Sequence, residues 1–357
     1  MRNSYLIKDI KKGFLLCLIL LISGISFGQT KILTAIDILN EHKKSLKDSL
    51  LAREKSVFKA EMKRTEKIPE KYIPSSDSLT IKYLVFHESN RTDIRLEEKR
   101  FNKGSITWDV ERQKLYIKGL TYQADNGPGE LPGGIDIKTG VSRKAVNKNI
   151  QGVNAFMEGY WPPEDKYFWE MFEESDNLKL REDMEMVDGH QTYVLEIKIP
   201  HDGRYTLWID PAFGFNIRKF TYIKTDSDLS DWEPFELTDP TKGPSQRFPA
   251  EETILAMDSV KIEKIRDIFV PISGVYEVIT TYSNGEQRIS TEEYKRFDIE
   301  LNPDFSKYPN AFALNVPNGA RVVYNQDYSS KIKYEWRDGE VIEKVDQPNI
   351  QEIDNAK

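Results

Sequence analysis

Cysteine is nearly missing from this 357-residue chain: Cys17 is the only one, and it lies in an N-terminal stretch that reads as cleaved. The remainder then has no disulfide framework, no thiolate metal site and no thiol nucleophile. Histidine is almost as sparse, with His42, His87, His190 and His201 as the full set and no HExxH or other close ligand pair among them. Asp188 with His190, or His201 with Asp202, would make at most a weak metal contact across adjacent turns. GxSxG occurs only at Gly24–Gly28, inside the stretch that reads as cleaved, and SxxK only at Ser56–Lys59 and Ser330–Lys333, none in a nucleophile-elbow context, so acyl-transfer chemistry has little support. No catalytic residue is assigned, and no metal or cofactor is expected.

Positive charge is in deficit, with 51 Lys and Arg against 58 Asp and Glu and a formal charge of −7. That balance argues against a nucleic-acid partner and against adsorption to anionic membrane surfaces, both of which use basic patches. Acidic residues are so plentiful that any pair could be offered as a glycosidase dyad, and spacing along a chain cannot show that two carboxyls face each other.

Long apolar runs are missing except at the start, where Arg2, Lys8, Lys11 and Lys12 precede an apolar run from Phe14 to Ile22. Ser26-Phe27-Gly28 then puts small residues at the −3 and −1 positions of a cut before Gln29, the layout of a secretory signal peptide over residues 1–28. The run is short of the roughly 20 residues that span a bilayer. Cys17 follows Leu15 and Leu16 rather than a small residue, so it reads as filler of the apolar region and not as a lipidation site. Cleavage moves the formal charge to −10 and leaves 329 residues, enough for one large or two ordinary domains. The expected location is the bacterial periplasm, with a soluble mature chain.

From Thr34 the apolar residues Ile36, Ile38, Leu39, Leu46, Leu50 and Leu51 recur at helical intervals, with His42, Lys43, Lys44 and Lys47 on the polar face. At Ser56 the period drops to two: Phe58, Ala60 and Met62 alternate with Lys59, Glu61 and Lys63, a strand with one wet face. Segments 79–86, 93–101, 105–111 and 114–122 continue as an antiparallel meander. The glycine-rich DNGPGELPGG that follows lacks the phosphate-loop spacing. Asn90-Arg91-Thr92 is a sequon of no consequence for a bacterial export product.

Residues 153–174, VNAFMEGYWPPEDKYFWEMFEE, form the most aromatic part of the chain. Pro163, Glu164 and Asp165 resemble the first turn of a helix whose buried face carries Phe168, Met171 and Phe172. Strands resume at 178–187 and 192–200, joined through Asp188-Gly189, a strong hairpin signal. In RYTLWID, Tyr205, Leu207 and Ile209 share one face; Pro211 turns the chain, Gly214 closes the loop, and FNIRKFTYIK returns. Asp210 belongs to turn chemistry on this reading, and Asp210→Ala should cost about 1 kcal/mol. Residues 225–254 lose periodicity and read as a proline-rich loop or linker. Strand patterns return over 255–340, with a hairpin turn at Asn284-Gly285, before a polar tail at 341–357.

The segments VDGHQTYVLEIKI (187–199) and GRYTLWIDPAFGFNIRKFTY resemble paired strands of the periplasmic lipoprotein-carrier superfamily, which holds LolA-like, LolB-like and RseB-like proteins. Asp210, Pro211, Gly214, Arg218 and Tyr222 carry the likeness, which spans roughly residues 34–224. The resemblance implies an α+β, mainly β fold: a strongly curved antiparallel sheet, an unclosed half-barrel with helices over its concave face, which accepts acyl chains. Residues 29–224 would form that unit, and 255–340 either extend its sheet or make a second β module. It also implies a non-enzymatic envelope protein whose partner is a lipid or acylated lipoprotein. An RseB-type interaction module that meets another envelope protein is the second reading, and a secreted hydrolase the third. Phe156, Tyr160, Trp161, Phe168, Trp169 and Phe172 are the candidate ligand-binding residues. The same side chains would equally fill a solid core.

Overall fold

The computed structural model describes residues 33–68, 78–89, 91–117, 120–126, 134–138, 155–225, 237–238, 247–314, 316–324 and 333–343. The expected signal peptide, Asn90 and most of the glycine-rich loop, proline-rich linker and polar tail lie outside these residues. The elements run α1 (Ala35–Ala52), β1 (Lys55–Lys67), β2 (Ser78–Glu88), β3 (Arg91–Asn102), β4 (Ser105–Ile117), β5 (Leu120–Asn126) and β6 (Gly134–Lys138). A short 3-10 turn, Phe156–Glu158, leads to β7 (Tyr160–Trp161), a second 3-10 turn (Pro162–Glu164), β8 (Lys166–Tyr167) and α2 (Phe168–Glu173). Then come β9 (Lys179–Leu180), β10 (Glu185–Val187), β11 (His190–Ile199), β12 (Gly203–Asp210), β13 (Asn216–Thr225), β14 (Leu237–Thr238) and β15 (Arg247–Phe248). The chain continues through β16 (Ala250–Ile265), β17 (Ile268–Tyr282), β18 (Gln287–Leu301), β19 (Arg321–Tyr324), β20 (Tyr334–Arg337) and β21 (Glu340–Glu343).

One large sheet dominates. Its strands neighbour one another in the order β21, β20, β19, β6, β5, β4, β3, β2, β1, β18, β17, β16, β13, β12, β11, with β9 and β10 both on the far edge of β11. It is open, and every pairing is antiparallel except β6 with β19, which makes the sheet mixed where the sequence pattern implied a purely antiparallel one. The three long strands β16 to β18 sit in the middle, β18 against β1 and β16 against β13. Ala250 to Ile254, expected in the linker, already belong to β16.

Several local expectations shift for clear reasons. Segments 105–111 and 114–122 are not separate strands: β4 runs unbroken to Ile117, because Glu111 to Lys114 keep their places in the ladder with β3. Residues 259–271, which read as one β segment, instead turn at Arg266-Asp267 between Ile265 and Ile268. Arg266 supplies a positive φ of 56° there, without the Asn-Gly signature that marks such turns in a sequence. Segment 178–187 is two short strands rather than one. Asp188-Gly189 behaves as expected, with φ of 48° and 81°.

Both faces of the sheet are partly covered. α1 and α2 pack together on one face, over β13 and β17. Ile38, Leu39 and Leu46 are buried beneath α1, whereas Ile36 and Leu51, expected in the same stripe, are exposed. On the opposite face the chain around Phe305–Phe312 covers β2 to β4, where Phe86 meets the rings of Tyr308 and Phe312. Buried Asp93 anchors it, accepting from the Phe312 backbone N–H at 3.2 Å, Gln113 at 2.8 Å and Arg95 at 2.9 Å.

The β12–β13 hairpin has the expected shape and an unexpected interior. Asp210 caps the 3-10 turn Pro211–Phe213 by accepting from Ala212 N–H at 2.9 Å. Gly214 takes a φ of 68°, and a Cβ there would come within 2.7 Å of the Phe269 ring, so glycine is required on both counts. Asp210 is also fully buried and ion-paired with Arg218, Oδ2 to the two guanidinium nitrogens at 2.8 and 2.7 Å. His190 Nδ1 lies 3.5 Å from the same carboxylate. Arg218 in turn donates to the Val260 carbonyl at 3.1 Å.

Removing one member of a buried pair strands the other charge, so Asp210→Ala is expected to cost roughly 3–5 kcal/mol in urea unfolding. Replacing Asp210 and Arg218 together with apolar residues should recover much of that. A single-mutant cost near 1 kcal/mol, the worth of the turn cap alone, would show that the ion pair contributes little.

Candidate functional site

The aromatic segment crosses the helix-bearing face of the sheet as a strap. Its helix begins at Phe168, not at Pro163, because Pro162–Glu164 closes a separate 3-10 turn and Asp165 takes a left-handed φ of 57°. Glu170 reaches back to cap the true N-terminus, its carboxylate accepting from Tyr167 N–H at 2.7 Å.

The strap is held down by a buried charge cluster. Glu158, with 1% of its side chain exposed, accepts two bonds from Arg53 at the end of α1, at 2.8 and 2.6 Å. It also pairs with Arg296 of β18, itself only 3% exposed, which donates to the Pro271 carbonyl at 3.2 Å. Burial alone would raise the Glu158 pKa, but the two guanidinium charges and their hydrogen bonds outweigh it and bring it down to about 2.

Beside this cluster lies His42, expected on the polar face of α1 but found 2% exposed. Its Nδ1 bonds the Phe215 carbonyl at 2.8 Å, and since a carbonyl only accepts, Nδ1 carries the proton. Nε2 then faces the strap with no hydrogen-bond partner. Gly159, at a φ of 69°, allows this approach: a Cβ would stand 3.2 Å from that nitrogen. Burial lowers the His42 pKa, the Phe215 bond offsets part of the effect, and the value falls to about 4.

Under the strap runs a groove of about 850 Å³. One wall is Phe156, Trp161, Pro162, Pro163 and Glu164, with His201 and Asp202 from the turn between β11 and β12. The other is the sheet, whose pairing arranges the lining side chains in cross-strand rungs, since directly opposed residues share a face. The inner rung is Tyr276, Glu292 and Arg64, and the same row continues into the fully buried Phe220 and Met257, which do not line the groove. The middle rung is Tyr222, Leu255, Val278, Ser290 and Glu66, and the outer rung Lys224, Thr253, Thr280 and Arg288. On β13, β16 and β17 the rows therefore grade from apolar to polar over two steps, whereas β18 and β1 are polar at every rung. Glu292 pairs with Arg64 and accepts from the Tyr294 hydroxyl, and Arg288 bonds both Glu66 oxygens at 3.1 Å.

The candidate residues divide. Phe156 and Trp161 line the groove: Phe156 stacks on Tyr276 at 4.6 Å, and Trp161 meets Tyr222 edge-on at 5.0 Å and Tyr205 at 5.4 Å. Phe168 and Phe172 are fully buried outside the groove lining, Phe168 lying 4.5 Å from the Phe220 ring. Tyr160 is buried and bonds Asp165 through its hydroxyl. Trp169 is half-buried, covered by Lys43 at 4.0 Å and Lys47 at 5.3 Å, two lysines expected to face only solvent. Arg64, Glu66, Lys224, Arg288 and Glu292 were not anticipated. Their signal was parity, since residues 64 and 66 extend the inward series 58, 60, 62.

Among the described residues no group of three or more His, Cys, Asp or Glu could hold a metal ion. Nor, among them, is any helix long and apolar enough to cross a membrane. No protein-family model matches the chain. No curated protein matches it either. Among solved structures, that of MucB in complex with MucA(peri) aligns with 76% of this chain and 99% of that one, at 12% identity and a TM-score of 0.22. A score of 0.22 does not establish a shared fold.

Two changes probe the strap. Glu158→Gln leaves two buried guanidinium groups facing one neutral amide and is expected to destabilise the protein by roughly 3–5 kcal/mol. Hydrogen exchange should rise first at Ala155–Trp161 if the cluster pins the strap, and uniformly across the sheet if it does not. For His42, the unfolded side chain takes up a proton below pH 6.5 while the folded one resists until about pH 4. Its contribution is present above pH 6.5 and lost as pH falls to 4, by about 3 kcal/mol at 1.36 kcal/mol per unit. Urea melts across that window should show the slope in the native protein and a flatter profile in His42→Gln.

Proposed function

We propose that the protein is a non-enzymatic component of the bacterial envelope that holds an acyl chain, from a lipid or a lipid-modified protein, in the groove beneath Phe156 and Trp161. The observation that carries this reading is the groove itself. Its volume of about 850 Å³ falls within the range of small-molecule sites, and Phe156, Trp161, Tyr222, Leu255, Tyr276 and Val278 give it an apolar strip beside the Arg64–Glu292 ion pair. An alkyl chain laid along Leu255 and Val278, beside the stacked rings of Phe156 and Tyr276, would exchange water for apolar contact at roughly 0.8 kcal/mol per buried methylene. The helices that bury the strap would then serve as the cover of a lipid-holding concavity, and no chemical step is required of any residue.

Native mass spectrometry of the protein isolated from its own host's envelope is the test. The expected result is an added mass that organic extraction removes. Val278→Trp, which fills the groove from a half-buried strand position, should abolish the adduct while leaving the circular dichroism spectrum and urea midpoint near those of the parent. A folded protein that carries no adduct, and takes none up from short-chain lipids, would overturn the acyl-binding reading and turn attention to a protein partner.

A further inference from the structure

The apolar strip of the groove is small, and each of its sides has a border. Tyr222 stands on β13, Leu255 on β16, and Tyr276 and Val278 on β17, with Phe156 and Trp161 of the strap against them. At the inner end the strap comes down onto the sheet. Phe156 stacks on Tyr276 at 4.6 Å, and one row further in Met157 packs so closely on Gly274 that a Cβ there would stand 3.0 Å from its sulfur. Towards β18 and β1 the middle rung changes to Ser290 and Glu66, beside the Arg64–Glu292 pair. At the outer end lie Thr253, Thr280 and Lys224, all buried, the lysine already engaged. On the β12 side the Tyr222 hydroxyl donates to the Asp202 carbonyl of the turn at 2.8 Å.

We infer that the groove measures an alkyl chain: it holds about ten carbons and is indifferent to any beyond them. The inference rests on the acyl-binding reading and adds the length of the chain to it. Strands lie about 4.8 Å apart and rise about 3.3 Å per residue, so the diagonal from Tyr276 to Tyr222, two strands over and two residues out, is about 12 Å. An extended backbone covers roughly 3.5 Å in the three bonds of a residue, or about 1.2 Å per bond, so an extended alkyl chain spans the strip in about ten bonds. Each carbon laid over Leu255 or Val278 leaves water for apolar contact. The next carbon meets groups that already satisfy one another, Arg64 with Glu292 and Arg288 with Glu66. Covering such a pair strips water from both charges and cancels the gain.

The experiment is equilibrium dialysis of the full-length protein against saturated fatty acids from hexanoate to hexadecanoate, each below its aggregation concentration. Affinity is expected to rise about fourfold per methylene up to about ten carbons and to stay level beyond. Ser290→Val extends the apolar part of the middle rung by one strand, about 5 Å, and should move the break outward by about four carbons. Val278→Thr keeps the shape but adds a hydroxyl, and should bring the break inward. Both place a β-branched residue at a half-buried strand position, which a sheet accepts, and the native series alone decides the matter if either variant fails to fold. A rise that continues unbroken to hexadecanoate overturns the length limit and leaves the acyl reading standing. A break that neither folded variant moves overturns the strip as the measuring element. Binding at no chain length overturns both readings.

Discussion

The groove exists because Glu158 is pinned from two sides. One carboxylate, almost wholly out of solvent, ties the strap to the last turn of α1 through Arg53 and to the middle of the sheet through Arg296. Charges so placed lose several kcal/mol of hydration each, and the loss is offset only by close geometry and multiple hydrogen bonds. Both conditions are met here. The strap's aromatic rings, Phe156 before the cluster and Trp161 after it, are thereby set at a fixed height above the strands. Both rings rest on the sheet, Phe156 on Tyr276 and Trp161 against Tyr222, so the cluster fixes where along the strands they sit, and the groove opens beside them.

The second constraint is parity. Successive side chains of a strand point to opposite faces, so the residues that oppose one another across β13, β16, β17, β18 and β1 form rungs on one face. Moving outward by four residues, two steps of the pleat, changes the row on β13, β16 and β17 from Phe220, Met257 and Tyr276 to Lys224, Thr253 and Thr280. A one-residue slip of any strand would turn its share of the lining to the other face. The gradient from apolar to polar is thus written into the register of the whole sheet and not into a local motif.

That explains which parts were legible in the sequence. Strands with an apolar side and a wet side, such as β1 and β12, were visible from alternation, and Asp188-Gly189 and Pro211 to Gly214 announced their turns. The strap's aromatics were plain as a cluster, and two of them, Phe156 and Trp161, do line the groove. β18 was readable as a strand, but its inward series of Arg288, Ser290, Glu292, Tyr294 and Arg296 hides the buried face behind polar residues. Their partners lie on strands hundreds of residues away, and one sequence carries no trace of which charge meets which. His42 was misplaced for the same reason: helical spacing puts it beside lysines, and it is buried by the strap at residue 159 together with the β12–β13 loop at Phe215.

The placement of β18 also bears on how the chain reaches its native state. β1 is made near the start of synthesis, yet its neighbour on one side is β18, and Arg64 meets Glu292 across 228 residues. Long-range pairing of this kind is slow, because the entropy of closing the loop is lost before the contacts form. While the chain emerges from its N-terminus, the edges of β1 and β13 both stand open, and open edges invite pairing between molecules. The first 224 residues are therefore two half-sheets awaiting a wedge, and a chain that stops there has no continuous sheet to fold around. Such a protein gains from any helper that shields strand edges until its last third has arrived.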